Sequence, residues 1–130
     1  MNWKIKYYLS GTGHSDVLKA YEDATAKVQA AFEVQLDYLV VRPQEDWRRP
    51  KVAKLVRDVA HRDFYEIRFF ADQVQQRPIG FFGPEKKDFT IVLWATEKGD
   101  KLVPKEWNKI ADSRRQDINA KKAKAVEFNF

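Results

Sequence analysis

The sequence predicts a single α+β domain: a small antiparallel sheet with helices on one face. Three observations predict it. The 130 residues are enough for one core and too few for two. Apolar residues recur at helical spacing toward both ends of the chain, and the middle alternates with the two-residue period of strands. The expected order is an N-terminal strand, a two-helix hairpin, a three-stranded meander and a C-terminal helix, all in one domain spanning 1–130.

The first strand is "NWKIKYYLS", with Trp3, Ile5, Tyr7 and Leu9 on one face and Lys4, Lys6 and Tyr8 on the other. The glycines of "SGTGHSD" invite a phosphate-loop reading, but no Gly-Lys-Ser/Thr follows, so this stretch reads as a turn with Ser15 capping a helix. Over 16–41, Val17, Tyr21, Ala24, Val28, Ala31, Phe32 and Leu39 form the stripe of one long helix that Pro43 ends. A shorter helix is expected over 49–60, with Pro50 in its first turn and Val52, Val56 and Val59 as its stripe. Strands follow at 64–71, 77–82 and 88–95, the last two joined by "GPEKKD". The turn between the first two has no Asn-Gly or Asp-Gly pair, which leaves their register open. Pro104 opens a last helix on which Trp107, Ile110, Ala111 and Ile118 mark the apolar face. The tail "AVEFNF" alternates again, as an edge strand does.

With 44% apolar and 33% charged residues the composition is that of a soluble globular protein. No apolar run approaches the roughly 20 residues of a membrane helix, and the N-terminus lacks the order of a secretory signal. There is no cysteine, hence no disulfide and no thiolate chemistry. These features predict a cytoplasmic protein without a membrane partner. A net charge of +5 directs attention to anionic partners, nucleic acid first, although 19 acidic residues dilute the 24 basic ones.

Candidate site residues come from "DFYEIRFFADQVQQRPIGFF", where each strand arm carries an arginine among apolar residues. A buried guanidinium is costly unless an anion meets it. Alternation sets Tyr65, Ile67 and Phe69 on one face and Glu66, Arg68 and Phe70 on the other, so Arg68 and Arg77 can converge on one patch of sheet. Lys98 ends the third strand, and Lys101 follows in a glycine-softened loop. Such cations beside aromatic residues suit a phosphodiester. The plainer alternative pairs Arg68 with Glu66 or a helix carboxylate, while Arg77 has no obvious local partner. Arg114, Arg115, Lys121, Lys122 and Lys124 make the last helix an RNA- or partner-binding surface, or a solvated face with Asp112 and Asp117 interspersed. His14 and His61 lie far apart without accompanying carboxylates, and no nucleophile elbow is present. Neither metal nor cofactor is expected.

"YEIRFF", the arginine opening the next strand, and "IVLWATEKGDKLVPKEWNKIADSR" resemble the RelE/HigB-like toxins of the RelE/ParE superfamily, in particular their phage-derived branch. The resemblance spans roughly residues 20–118 and rests on order and spacing. It implies the toxin of a two-gene toxin–antitoxin module, cutting messenger RNA on the ribosome without a metal and silenced by a cognate antitoxin. It further implies that Arg68 and Arg77 are the basic residues of the hairpin, Arg77 binding phosphate, and that Lys98 is the basic residue after the last strand. Lys101, Arg114 and Arg115 are then expected to contact RNA. The chain departs from the family pattern at Glu66, Pro78, Trp94, Thr96 and Gly99, and Pro78 suggests a bulge or shifted register. A ParE-like toxin that binds gyrase without chemistry, a domesticated relative that only binds a partner, and a general RNA-binding module are the alternatives.

Overall fold

The computed structural model describes residues 2–55 and 63–130. Strand β1 (Lys4–Leu9) leads through a turn to helix α1 (Asp16–Glu22). As expected, Ser15 is the cap, its Oγ accepting from the Leu18 N–H at 3.0 Å. The helix expected over 16–41 is two helices, because Thr25 takes extended backbone and caps a second one, α2 (Ala26–Leu39), accepting from Val28 N–H at 3.3 Å. The apolar stripe runs unbroken past this restart, which is why periodicity alone joins them.

The expected helix over 49–60 is also corrected. Val52–Leu55 is a strand, β2, paired antiparallel with β3 (Phe64–Ile67), and the remainder of that helix lies outside the described residues. Valines at helical spacing are equally good strand formers, and pairing with β3 decides the matter. The rest of the chain forms β4 (Phe69–Ala71), β5 (Val74–Phe82), β6 (Asp88–Lys98), β7 (Lys101–Val103), α3 (Trp107–Asn119) and β8 (Lys124–Glu127). The last is the expected edge strand, antiparallel to β1.

Among the described residues these strands make one sheet of eight, in the order β2-β3-β5-β6-β1-β8, with β4 on β5 and β7 on β6. The sheet is larger than expected and mixed, since β1 runs parallel to β6. Helices also cover both faces. Ile5, Val52, Ile67, Phe89 and Ile91 pack with Phe32, Leu36 and Leu39 of α2. Tyr8, Phe64, Ile79, Phe81, Leu93 and Ala95 pack on the opposite face with Trp107, Ala111 and Ile118 of α3. Each fully buried Phe or Ile contributes roughly 1.5–3 kcal/mol.

β6 serves both cores by changing phase. Ile79 pairs with Leu93 but Gly80 pairs with Ile91, so Val92 is an extra residue on β6. That bulge sends Phe89 and Ile91 toward α2 and Leu93 and Ala95 toward α3. The irregularity thus falls beside Gly80, with Pro78 still paired to Trp94. Gly80 is required here: a Cβ would stand 2.4 Å from the Thr90 carbonyl oxygen and 2.7 Å from the Phe89 ring. No helix among the described residues is long and apolar enough to cross a membrane.

Candidate functional site

The hairpin bearing Arg68 and Arg77 turns through Asp72 and Gln73, both left-handed at φ 53° and 66°. Two such residues match the right-handed twist of the flanking strands and fix the register without a glycine. The pairs Glu66↔Ile79 and Phe69↔Gln76 belong to one continuous register, so Arg68 stands directly opposite Arg77. Alternation places both on the face toward α3, as it does Ile79 and Phe64.

Two like charges opposite each other are destabilising unless each has its own counter-charge. Both have one. Arg68 Nη1 donates to Glu66 Oε1 at 2.6 Å. Arg77 Nε donates to Glu97 Oε1 at 3.0 Å, Nη2 to Gln75 Oε1 at 3.1 Å and Nη1 to the Gln76 carbonyl at 2.8 Å. Arg77 is only 3% exposed, whereas the Arg68 side chain keeps 22%. Glu66 is 5% exposed, and its Oε2 has no hydrogen-bond partner among the described residues. The result is a neutral quartet of two guanidiniums and two carboxylates, with Arg68 the cation nearer solvent.

Lys98 is not brought to this quartet. Alternation along β6 puts Trp94, Thr96 and Lys98 on the α2 face, opposite to Arg77. Lys98 is exposed and pairs across the β6–β7 turn with Lys101, also exposed. Arg114 forks onto Asp16 at 2.7 and 2.8 Å, donates to the Val92 carbonyl at 2.8 Å and lies over the Tyr8 ring. Arg115 donates to Asp112 at 3.2 Å and covers Phe64 at 4.4 Å. Both clamp α3 to the sheet and are half-buried. Tyr65 packs edge-on against Phe82, while Phe70 is 59% exposed. His14 sits in the exposed turn before α1, and His61 lies outside the described residues. Among the described residues, no three His, Cys, Asp or Glu side chains gather as a metal site would require.

Sequence reasoning missed Glu97 and Gln75 as the partners of Arg77. Their signal is a long-range pairing, Gln75 opposite Glu97, which only the register supplies. A perturbed group lies away from this site, on α1. Tyr21 donates to Glu33 at 2.7 Å, and burial, reinforced by that carboxylate, pushes its hydroxyl up to about 12.

No known family, no curated protein and no solved structure matches this chain.

Proposed function

We propose that this protein is the toxin of a two-gene toxin–antitoxin module, related to the RelE/HigB-like toxins. Its activity is that of a metal-independent endoribonuclease on messenger RNA held by the ribosome. It works in the cytoplasm and is silenced by a cognate antitoxin. The observation that carries the reading is the placement of Arg68 directly opposite Arg77 on one face of the sheet. In this reading an RNA phosphate replaces Glu66 as the partner of Arg68, with Arg77 behind it. The ribose 2′-hydroxyl gives its proton to water and attacks the adjacent phosphorus, forming the new P–O bond as the bond to the 5′-oxygen breaks. That oxygen takes its proton from water, leaving a 2′,3′-cyclic phosphate, while the guanidinium forks stabilise charge on the non-bridging oxygens.

A second reading is favoured by specific observations: both arginines already hold carboxylates, and Lys98 lies on the opposite face. It is a toxin, or a domesticated relative, that binds a protein target such as gyrase without chemistry. Messenger RNA cleavage on programmed ribosomes, with wild type, Arg68→Ala and Arg77→Ala, separates the two. Cleavage by wild type that is lost in Arg68→Ala, with the variant still folded, supports the nuclease. No cleavage by folded wild-type protein refutes it and leaves the binding toxin.

A further inference from the structure

We propose that the concavity between the β1–α1 turn and the α3–β8 turn binds the phosphate backbone of single-stranded RNA. This rests on the RNA-directed reading above and adds to it a binding surface away from the arginine pair. The concavity measures about 280 Å³ and is lined by Leu9, Ser10, Gly11 and Gly13 on one side and Lys121, Lys122, Ala123 and Lys124 on the other. That size sits at the low end for ligand pockets and suits one phosphodiester unit rather than a whole folded ligand.

Backbone geometry holds the two turns together. Leu9 pairs with Lys124 across the sheet. Gly11 approaches so closely that a Cβ would stand 2.6 Å from the Lys122 carbonyl oxygen. Helix α3 ends with Lys121 N–H donating to the Ile118 carbonyl at 3.0 Å and Lys122 N–H to that of Asp117 at 2.8 Å. In this helix-ending motif the left-handed position ordinarily goes to glycine. Here it is Lys121, at φ 61°, a steric cost borne at the mouth of the concavity.

Charge gives the site its ligand class. Lys121, Lys122 and Lys124 are all exposed, and no carboxylate lines the concavity. None of the three is in an ion pair among the described residues, whereas Arg68, Arg77, Arg114, Arg115 and Lys6 all are. Three cations within four residues repel one another, and an anion that bridges them removes that repulsion. The Ser10 hydroxyl at the rim is 3.1 Å from that of Thr12 and accepts from the His14 N–H at 3.0 Å, bonds that hold the turn in shape. The concavity seats one phosphodiester, and the long side chains of Lys121, Lys122 and Lys124 extend the contact to the neighbouring phosphates of the same strand.

The test is fluorescence anisotropy with a labelled 12-nucleotide RNA, 2′-O-methylated throughout so that it cannot be cut by 2′-hydroxyl attack. Binding is thereby read independently of cleavage, and a protein that binds this RNA but never cuts defeats only the nuclease reading. Wild type is compared with the folded triple variant Lys121→Ala/Lys122→Ala/Lys124→Ala and with Gly11→Ala, which forces the two turns apart. Each phosphate deprived of its lysine lowers the slope of log affinity against log salt by about 0.7, so three of them predict a slope smaller by about 2 and roughly 100-fold weaker binding at 0.1 M salt. Gly11→Ala weakens binding in the same direction. Wild-type affinity and slope in the triple variant, or no binding by wild type, overturns the proposal.

Discussion

Replacing Arg68 by alanine tests whether this guanidinium is part of the fold or is held in readiness for a ligand. Glu66, 5% exposed, has Oε1 on Arg68 at 2.6 Å and Oε2 without a partner among the described residues. Removing Arg68 strands a buried carboxylate, an event that costs about 3–5 kcal/mol. The Arg68 side chain is 22% exposed, so water partly screens the pair and the lower end, about 3 kcal/mol, is expected. With a denaturant slope of roughly 1.5 kcal/mol per molar urea for a domain of this size, the unfolding midpoint falls by about 2 M. Adding Glu66→Leu to the same variant removes the stranded charge and places an apolar side chain beside Phe64 and Ile79, so most of the loss is recovered. Urea unfolding of the two singles and the double measures the coupling directly. A loss below about 1 kcal/mol in Arg68→Ala, with no recovery in the double, would refute the buried pair and mark Arg68 as an ordinary surface cation.

Gly80→Ala sets a methyl group 2.4 Å from a backbone oxygen that β6 cannot move without breaking its pairing, and a loss of more than about 2 kcal/mol is expected by urea unfolding. Tyr21 makes its contribution through the neutral hydroxyl: its folded value, about 12, lies above the unfolded one near 10, so the stabilisation is complete below pH 10 and is lost as pH rises toward 12. Melting temperatures of wild type and Tyr21→Phe are therefore expected to converge as pH rises from about 10 toward 12, and a constant gap would contradict this.

Much of the fold is legible because its signals are local. The alternation of "NWKIKYYLS", the Ser15 cap, the strand patterns around Tyr65 and Ile91, and the proline before α3 each act within a few residues. What escaped is non-local. The valine spacing after Pro50 fits a helix as well as a strand, and pairing with β3 selects the strand. Thr25 restarts a helix inside a continuous apolar stripe, which hides the break. Coverage of both sheet faces has a visible trace, since "FTIVLW" is a continuous apolar run of the kind found in strands buried on two sides. The bulge at Val92 has no glycine on β6 itself, and its one trace is Gly80 on the partner strand, so the phase change that serves both cores is readable only once the β5–β6 register is known. At the site, alternation alone puts Arg68 and Arg77 on one face, but their direct opposition depends on a turn through Asp72 and Gln73 that lacks the usual residues.

The cations of the arginine pair, of α3 and of the lysine turn fall into two groups that composition cannot separate. Arg68, Arg77, Arg114 and Arg115 each meet a carboxylate and lie buried or half-buried, and Arg114 and Arg115 also shield aromatic rings. Moving any of them to a ligand first costs an existing ion pair, so their attraction for an incoming phosphate is reduced by what they already hold. Lys121, Lys122 and Lys124 carry no such prior partner among the described residues, and an anion meeting them gains the full interaction. On the proposed RNA-directed reading, long-range attraction falls to exposed lysines such as those of this turn, while the arginine pair acts only on a phosphate close enough to compete with Glu66. Capture at one end of the sheet and competition at the other would let the protein hold a strand before any guanidinium changes partner. The salt slope of binding then belongs to the lysines, and the dependence on Glu66 to the arginines.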